Sequence, residues 1–458
     1  MASKKIEGVI EEIIDQYTTA DSTKRPWIIG FSGGKDSTVL LTLVWIALQR
    51  IKDMSSLFSP LDRTVYVVCN DTMVENPIIS GYIEDVLILI RQEAKDQGLP
   101  IIVKKTTPKL EDTYWRKVIG RGYTVPSNKF RWCTGTLKIK PTSDFLHEQI
   151  DEKGEAIVLL GTRYDESVSR GRAMKKREIH GERLNKHNTS ANTYVYAPIR
   201  TLMLEEVWYV INTFKSPWKF DNSILFQIYS DASADDYECP TVIVNKEHSS
   251  CGQSRFGCWT CTVVSKDKSM TALIESGQHW MKPLLDFRDR LVANRNLGKN
   301  RSPTRRDGVK FVSDEGRNLG NYTNKYRAEI LEDLLIVQKQ VQKERPHIIL
   351  ITNQELIAIQ VDWNRDLEFN YKVGDIYKKI YNKEISTNNI KSLSKSELRI
   401  LKDVCKEDSS YYTLIDDLIT LQEIKTLMLS KHGLHNDIEN RIEAFANENE
   451  IEVFANEN

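Results

Sequence analysis

Trp27-Ile28-Ile29-Gly30-Phe31-Ser32-Gly33-Gly34-Lys35-Asp36-Ser37-Thr38, continued by Val39-Leu40-Leu41-Thr42-Leu43-Val44-Trp45-Ile46-Ala47-Leu48, decides the fold. An apolar run breaks at a small-residue turn and resumes as an apolar segment long enough for three turns of helix, so the stretch reads as strand, loop, helix. Two glycines let the backbone approach a ligand closely. The unpaired first-turn N–H groups and the positive end of the helix dipole then favour an anion at that place. Ser32, Ser37 and Thr38 add hydroxyl donors and Lys35 a cation; Asp36 either positions a metal ion or caps the helix. The turn is not a Walker loop, because Gly34-Lys35 is followed by Asp36 instead of Ser or Thr.

Outward from this point the sequence alternates strand and helix. An amphipathic helix over residues 4–19 leads in. Thr64-Val65-Tyr66-Val67-Val68-Cys69 reads as a buried strand, followed by a helix over about 76–97 and a strand at 100–104. A fourth strand covers 155–160. The alternation predicts an α/β fold with a doubly wound parallel sheet, in which ligands lie beyond the carboxyl ends of the strands. Asn70 and Asp71 fall at that edge, as nucleotide contacts or as a strand-end turn. The fourth strand ends in Gly161-Thr162-Arg163-Tyr164-Asp165-Glu166-Ser167-Val168-Ser169-Arg170, where Arg163 and Arg170 suit bidentate phosphate contacts and Glu166 can orient one of them. In Arg131-Trp132-Cys133-Thr134-Gly135-Thr136-Leu137-Lys138-Ile139-Lys140, three cations flank one thiol. Nearby cations lower a thiol pKa, so Cys133 reads as a reactive sulfur carrier or, alternatively, as a small buried residue at a helix start.

The 458 residues suffice for two or three domains, and 64 Lys and Arg balance 64 Asp and Glu, so nothing global demands a nucleic-acid partner. No apolar run approaches the roughly eighteen residues that span a bilayer, and Met1-Ala2-Ser3-Lys4-Lys5-Ile6 has no signal-peptide core, so a cytoplasmic protein without a membrane partner is expected. Seven cysteines, four of them within residues 239–261, argue for metal ligation over disulfides. Cys239, Cys251, Cys258 and Cys261 are separated by eleven, six and two residues. Four thiolates suit zinc or an iron–sulfur cluster. A zinc ribbon would show two Cys-x-x-Cys pairs, and only 258/261 forms one, which favours the cluster.

The six residues Ser32-Gly33-Gly34-Lys35-Asp36-Ser37 resemble the PP-loop of N-type ATP pyrophosphatases. The Gly161–Arg170 segment, Arg131-Trp132-Cys133-Thr134, Ala197-Pro198-Ile199 and Glu206-Val207-Trp208 resemble, in order, motifs of the phosphoadenosine phosphosulfate (PAPS) reductase family over about residues 20–220. With the eleven-six-two cysteine pattern, the chain is similar to the DndC group of DNA phosphorothioation proteins within that family. The resemblance implies an ATP pyrophosphatase that adenylates a DNA phosphate, after which sulfur displaces AMP. It implies ATP, with Mg²⁺, held by Phe31, Ser32, Gly33, Gly34, Lys35, Asp36, Ser37, Asn70, Asp71, Gly161, Arg163 and Glu166. Catalysis would fall to Lys35, Asp36, Arg163, Arg170 and Cys133, and a [4Fe-4S] cluster to Cys239, Cys251, Cys258 and Cys261. Implied partners are DNA, a cysteine desulfurase as sulfur donor, and other subunits of a phosphorothioation complex. Rival readings are an adenylyl-sulfate reductase, an enzyme thiolating RNA bases, and a non-catalytic nucleotide- and DNA-binding scaffold.

Between Lys282 and Arg327, twelve Lys or Arg stand against five Asp or Glu, interleaved with Phe287, Phe311, Tyr322 and Tyr326 and preceded by Trp280. Such a stretch reads as a DNA contact or as a solvated face. Helical periodicity follows over 328–341, 353–361, 374–382, 394–405 and 411–430, then an acidic tail. The expected organisation is therefore a PP-loop domain (1–235), a cysteine-rich segment (236–265), a basic segment (266–330) and a helical region (331–458).

Overall fold

The apolar run before the glycines forms the centre of a six-stranded sheet in a computed structural model of the chain. The structure describes residues 2–18, 24–54, 61–166, 168–177, 182–186, 192–232, 257–305, 308–313, 315–366 and 370–385, with scattered positions from 401 to 442. The expected helices over 394–405 and 411–430 and the acidic tail fall largely or wholly outside them. In chain order the first elements are α1 (Ala2–Thr18), β1 (Trp27–Gly30), α2 (Lys35–Met54), β2 (Val65–Asn70), α3 (Pro77–Asp96) and β3 (Ile101–Thr106). There follow α4 (Lys140–Lys153), β4 (Ala156–Leu159), α5 (Val168–Arg177), β5 (Leu184–Lys186), β6 (Thr193–Tyr196), α6 (Leu204–Thr213), α7 (Asn222–Ala232), α8 (Lys268–Glu275) and α9 (Lys282–Asn294). The chain divides into two compact units, residues 1–108 with 126–288, and residues 109–125 with 289–458.

In the first unit the strands run in the order β3-β2-β1-β4-β6-β5. All neighbours are parallel except β5, which pairs antiparallel with β6. The chain winds outward from β1 through β2 to β3, then returns to β4 on the other side. The carboxyl ends of β1 and β4 thus form the switch point at which such sheets place ligands. Trp27, Ile28 and Ile29 are buried on both faces of β1, as a central parallel strand requires. Ile6, Ile10 and Ile13 of α1 and Leu40, Leu43, Val44 and Leu48 of α2 fill the core beside it. Each such side chain contributes about 1.5–3 kcal/mol on burial. On the exposed edge, Lys105 of β3 pairs with Asp71 at 3.1 Å and Glu84 at 3.0 Å, charges that discourage further strand pairing.

This organisation differs from the expected one in two respects. The sheet unit continues past the cysteine-rich segment to Arg288, and residues 109–125 leave it for the second unit. The second unit includes the helices α10 (Asn324–Val341), α11 (Asn353–Arg365) and α12 (Val373–Tyr381). They carry residues 109–125 by hydrogen bonds that no local pattern announces. Trp115 Nε1 donates to Leu350 O at 2.8 Å and Trp363 Nε1 to Ile119 O at 2.8 Å. The guanidinium of Arg116 donates to both carboxylate oxygens of Asp362, at 2.7 and 3.1 Å.

Thr352 and Glu355 cap α11 reciprocally: Thr352 N donates to Glu355 Oε2 at 3.0 Å, and Glu355 N to Thr352 Oγ1 at 3.2 Å. Burial raises the carboxyl pKa of Glu355, its hydrogen bonds opposing the shift. A raised carboxyl pKa means that the ionised form weakens the fold, so stability from this group is full below the unfolded pKa and is lost as pH rises through the folded one. Glu355→Gln, which keeps the acceptor and removes the charge, is expected to raise the melting temperature near pH 7. Melting curves recorded against pH should show that advantage vanish near about pH 4, where both side chains are neutral.

Candidate active site

The loop between β1 and α2 lines a cleft of about 570 Å³ in the first unit, within the roughly 300–1,000 Å³ of small-molecule sites. Gly33 has φ +72°, and a Cβ there would stand 2.7 Å from Ile83 Cγ1, so only glycine fits. The loop is tied internally. Ser32 N donates to Ser37 Oγ at 3.3 Å, the two hydroxyls lie 3.2 Å apart, and Ser37 Oγ donates to Gly34 O at 3.0 Å. Lys35 opens α2 with its side chain 9% exposed and its ammonium 3.9 Å from Asp36 Oδ2. That ammonium also lies 5.1 Å from the ring centroid of Tyr229, whose hydroxyl accepts from Lys35 N at 3.3 Å. A cation held in so dry a place acts strongly on charge brought to it.

Ile79, Tyr82 and Ile83 of α3 and Leu225, Ile228 and Tyr229 of α7 form the apolar walls. Each trio has i, i+3, i+4 spacing, one stripe of a helix. The cleft therefore has a polar floor and apolar walls. Sequence reading missed Tyr229 and both stripes. Their spacing was visible, but a stripe facing a cleft has the same periodicity as one facing a core.

At the end of β4, a Cβ on Gly161 would lie 2.9 Å from Asp36 O and 3.1 Å from Ser37 N. The glycine thus lets the strand end touch the first turn of α2. Gly161→Ala is expected to push that turn away, costing about 1–3 kcal/mol of stability and weakening nucleotide binding; melting and equilibrium dialysis with ATP would measure both. Arg163 does not line the cleft, contrary to the direct phosphate contact expected for it. Its side chain is 3% exposed, and it donates from Nε to Asp36 Oδ1 at 2.6 Å and from Nη1 to Leu202 O at 3.2 Å. Backbone and carboxylate acceptors close behind the strand end claim the guanidinium, which makes it a positioning residue for Asp36. Asp36 and Glu166 do line the cleft. The side chain of Arg170 lies outside the described residues.

Asn70 also lines the cleft, donating from Nδ2 to Leu137 O at 3.0 Å. Asp71 instead builds the strand-end turn. Its Oδ1 accepts from Met73 N at 2.7 Å and its Oδ2 pairs with Lys105. This turn leads to the Cys-x-x-Cys segment. Glu75 bridges antiparallel to Cys258, Trp259 N donates to Val74 O at 3.0 Å, and Asn76 N to Gly257 O at 3.3 Å. The Cys258 sulfur lies 3.3 Å from Thr72 Oγ1, which donates to Glu75 Oε1 at 2.9 Å. Lys138 Nζ stands 3.7 Å from the same carboxylate oxygen. Because Glu75 and Lys138 both line the nucleotide cleft, the thiol pair borders one of its walls.

Cys133, half-buried, and Cys261 are within electrostatic reach of each other, and Lys138 of both Cys133 and Cys258. Burial pushes the Cys133 thiol up, outweighing Thr134 and Lys138, which favour the thiolate. The lowering expected from three flanking cations is therefore corrected: Lys138 acts, while Arg131 turns away to donate to Asn128 Oδ1 at 2.7 Å. Burial with the neighbouring Glu75 pushes the Cys258 thiol up to about 12. The two thiols stand on one turn, in which Cys261 N donates to Cys258 O at 2.9 Å, a Cys-x-x-Cys spacing of the kind metal ions use. Cys239 and Cys251 lie outside the described residues, among which no three His, Cys, Asp or Glu side chains are arranged to hold a metal ion.

A parallel sheet whose central strand delivers a Ser-Gly-Gly-Lys-Asp-Ser loop to a cleft at the switch point defines a nucleotide-binding α/β protein of PP-loop type. Residues 26–264, just over half of the 458, match the phosphoadenosine phosphosulfate reductase domain, and the chain belongs to that family. It is 28% identical over 222 residues to an uncharacterized protein of Methanocaldococcus jannaschii, a match covering 45% of this chain and 38% of the relative's length. The crystal structure of phosphoadenylyl-sulfate reductase from Candida auris in its phosphate complex aligns at 12% identity and a TM-score of 0.27, covering 45% of this chain and 84% of that one. Among the described residues no helix is long and apolar enough to cross a membrane.

Proposed function

We propose that the protein is an ATP pyrophosphatase that installs sulfur in the DNA backbone, the chemistry of the DndC group. The observation that carries this reading is the shared wall between the Ser32–Ser37 loop and the Cys258–Cys261 turn, formed by Glu75 and Lys138. Nucleotide activation and sulfur supply then meet in one cleft. The loop N–H groups, Ser32, Ser37 and Lys35 hold the ATP phosphates, and Asp36, held by Arg163, would take a Mg²⁺ ion. A non-bridging oxygen of the DNA phosphate attacks the α-phosphorus, and the bond to the pyrophosphate leaving group breaks. Charge growing on the phosphoryl oxygens is met by Lys35 and the helix N-terminus. Sulfur then attacks the activated DNA phosphorus and AMP leaves with the oxygen. When the sulfur comes from a desulfurase as a persulfide on Cys133, a thiol reductant supplies the two electrons that free it from that cysteine. Cys258 and Cys261, with Cys239 and Cys251, would hold an iron–sulfur cluster, which when bound would supply sulfide or electrons.

Protein purified without oxygen, given ATP, duplex DNA, cysteine and a cysteine desulfurase, is expected to release pyrophosphate and yield phosphorothioate dinucleotides, read by mass spectrometry after nuclease digestion. Sulfite formed from adenylyl sulfate, with no pyrophosphate released from ATP, would replace this reading by the reductase one. That competitor is favoured by the family match itself. Thiolated bases on supplied RNA would move the reading to RNA, and neither product nor pyrophosphate would leave the scaffold.

A further inference from the structure

The second unit holds a cavity of its own, of about 700 Å³. Beside it, residues 301–305, 308–313 and 315–322 form a small bridged meander. Antiparallel bridges join Arg301 to Tyr322, Thr304 to Lys310 and Val312 to Asn318. Ser302 N donates to Asn321 O at 2.7 Å, Phe311 N to Pro303 O at 2.7 Å and Leu319 N to Phe311 O at 2.9 Å. Gly308 and Gly316, at φ +79° and +72°, make its two turns. The meander is tightly crossed: a Cβ on Gly320 would fall 2.0 Å from Thr304 O.

The arginines of this stretch divide into two kinds. Arg301 is buried, donating from Nε to Gly320 O at 2.7 Å and from Nη1 to Arg295 O at 3.3 Å. Arg327 is buried too, on Ile119 O at 2.8 Å and Asp366 at 3.1 Å. Both also line the cavity, with their guanidiniums committed to these acceptors. Lys299, Arg305 and Lys310 are exposed, and among the described residues no carboxylate pairs with any of them. Lys299 and Arg305 line the cavity beside Ser302, Asn318, Asn321 and Asn324. The acid that lines it, Asp366, is neutralised by Arg327. Arg305 lies 4.0 Å above the ring of Phe311, which is 39% exposed next to Val309 at 54%. The ring fixes the guanidinium and offers an apolar edge. Residues 299–325 hold seven Lys or Arg against three Asp or Glu, in a chain whose formal net charge is zero.

We infer that this cavity and the meander beside it bind phosphates of a polynucleotide backbone. Two cations without a carboxylate partner among the described residues, with amide and hydroxyl donors beside them, match phosphate oxygens, and Lys310 adds a further exposed cation outside the cavity. Cations both inside and outside the cavity suit a polymer, whereas a free nucleotide needs one enclosed site. The inference rests on the DNA reading above for its choice of polymer and tests separately from it.

The test measures binding of a mixed-sequence DNA duplex to the full-length protein by fluorescence anisotropy across a salt series. Lys299→Gln with Arg305→Gln is expected to weaken binding about tenfold or more and to make the log–log salt slope shallower by roughly 0.9 for each cation removed. Lys343→Gln, an exposed lysine elsewhere in the unit, serves as control and should change neither, with melting temperatures confirming that all variants fold. Wild-type affinity and slope in the double variant, an equal loss in the Lys343 control, or no duplex binding by the wild type would overturn the inference. So would an effect of the double variant on ATP affinity alone, which would make the ligand a free nucleotide. Duplex binding that depends on Lys299 and Arg305 without phosphorothioate formation would sustain the inference and sink the proposed reaction; the converse result would do the opposite.

Discussion

Pyrophosphate release from ATP is expected to fall by roughly two to three orders of magnitude when Lys35 is replaced by alanine, the loss typical of removing one preorganised donor from a reacting phosphoryl or acyl centre. The ammonium is nearly closed to solvent, and it sits at the first turn of α2 against the ring of Tyr229. In that setting its attraction for developing charge is little screened. Lys35→Arg should not restore the rate, because a planar fork does not fit where a compact ammonium packs on a ring. Steady-state assays would separate the effects: loss in kcat marks a contact strengthened in the transition state, and a rise in KM alone marks simple binding. Release at the wild-type rate in Lys35→Ala would end the pyrophosphatase reading.

The second large effect concerns stability. Asp362 is 1% exposed and Arg116 6%, and they meet through two hydrogen bonds. A Cβ on Gly120 would stand 2.8 Å from Asp362 Oδ2, so the pair is also sterically confined. Asp362→Ala leaves a guanidinium buried without its counter-charge, and breaking such a pair typically costs about 3–5 kcal/mol. Urea unfolding followed by the fluorescence of Trp115 and Trp363, both buried in this unit, should show the loss. Adding Arg116→Met should recover much of it, since the uncompensated charge is gone. A cost below about 1 kcal/mol in the single variant would show that the pair is not confined as described.

The sheet was legible wherever apolar runs were bounded by turns: β1, β2, β3 and β4 fall within a residue or two of their expected places. β5 and β6 were not. Leu184-Asn185-Lys186 is too short and polar to show a period, and it becomes a strand only because β6 offers it an edge. The excursion of residues 109–125 was invisible for a different reason, since the partners of Trp115 and Arg116 lie more than two hundred residues away. At the site, the loop and its glycines followed from local chemistry alone. The arginines did not. A sequence displays a guanidinium's charge but not whether carbonyl oxygens will surround it, and Arg163, Arg301 and Arg327 are each bound in that way.

Arg288 shows what the same habit achieves beside the thiols. Fully buried, it donates to the carbonyl oxygens of Cys261 at 2.8 Å and Ser265 at 2.9 Å and to that of Val264. On the other side, Val74 and Asn76 fasten Gly257 and Trp259. The segment presenting Cys258 and Cys261 is thus clamped at both ends by its backbone, and the Cys258 sulfur adds a side-chain contact to Thr72 Oγ1 at 3.3 Å. The shape of this loop is therefore set mainly by main-chain bonds, so replacing either cysteine by serine should leave its backbone path in place.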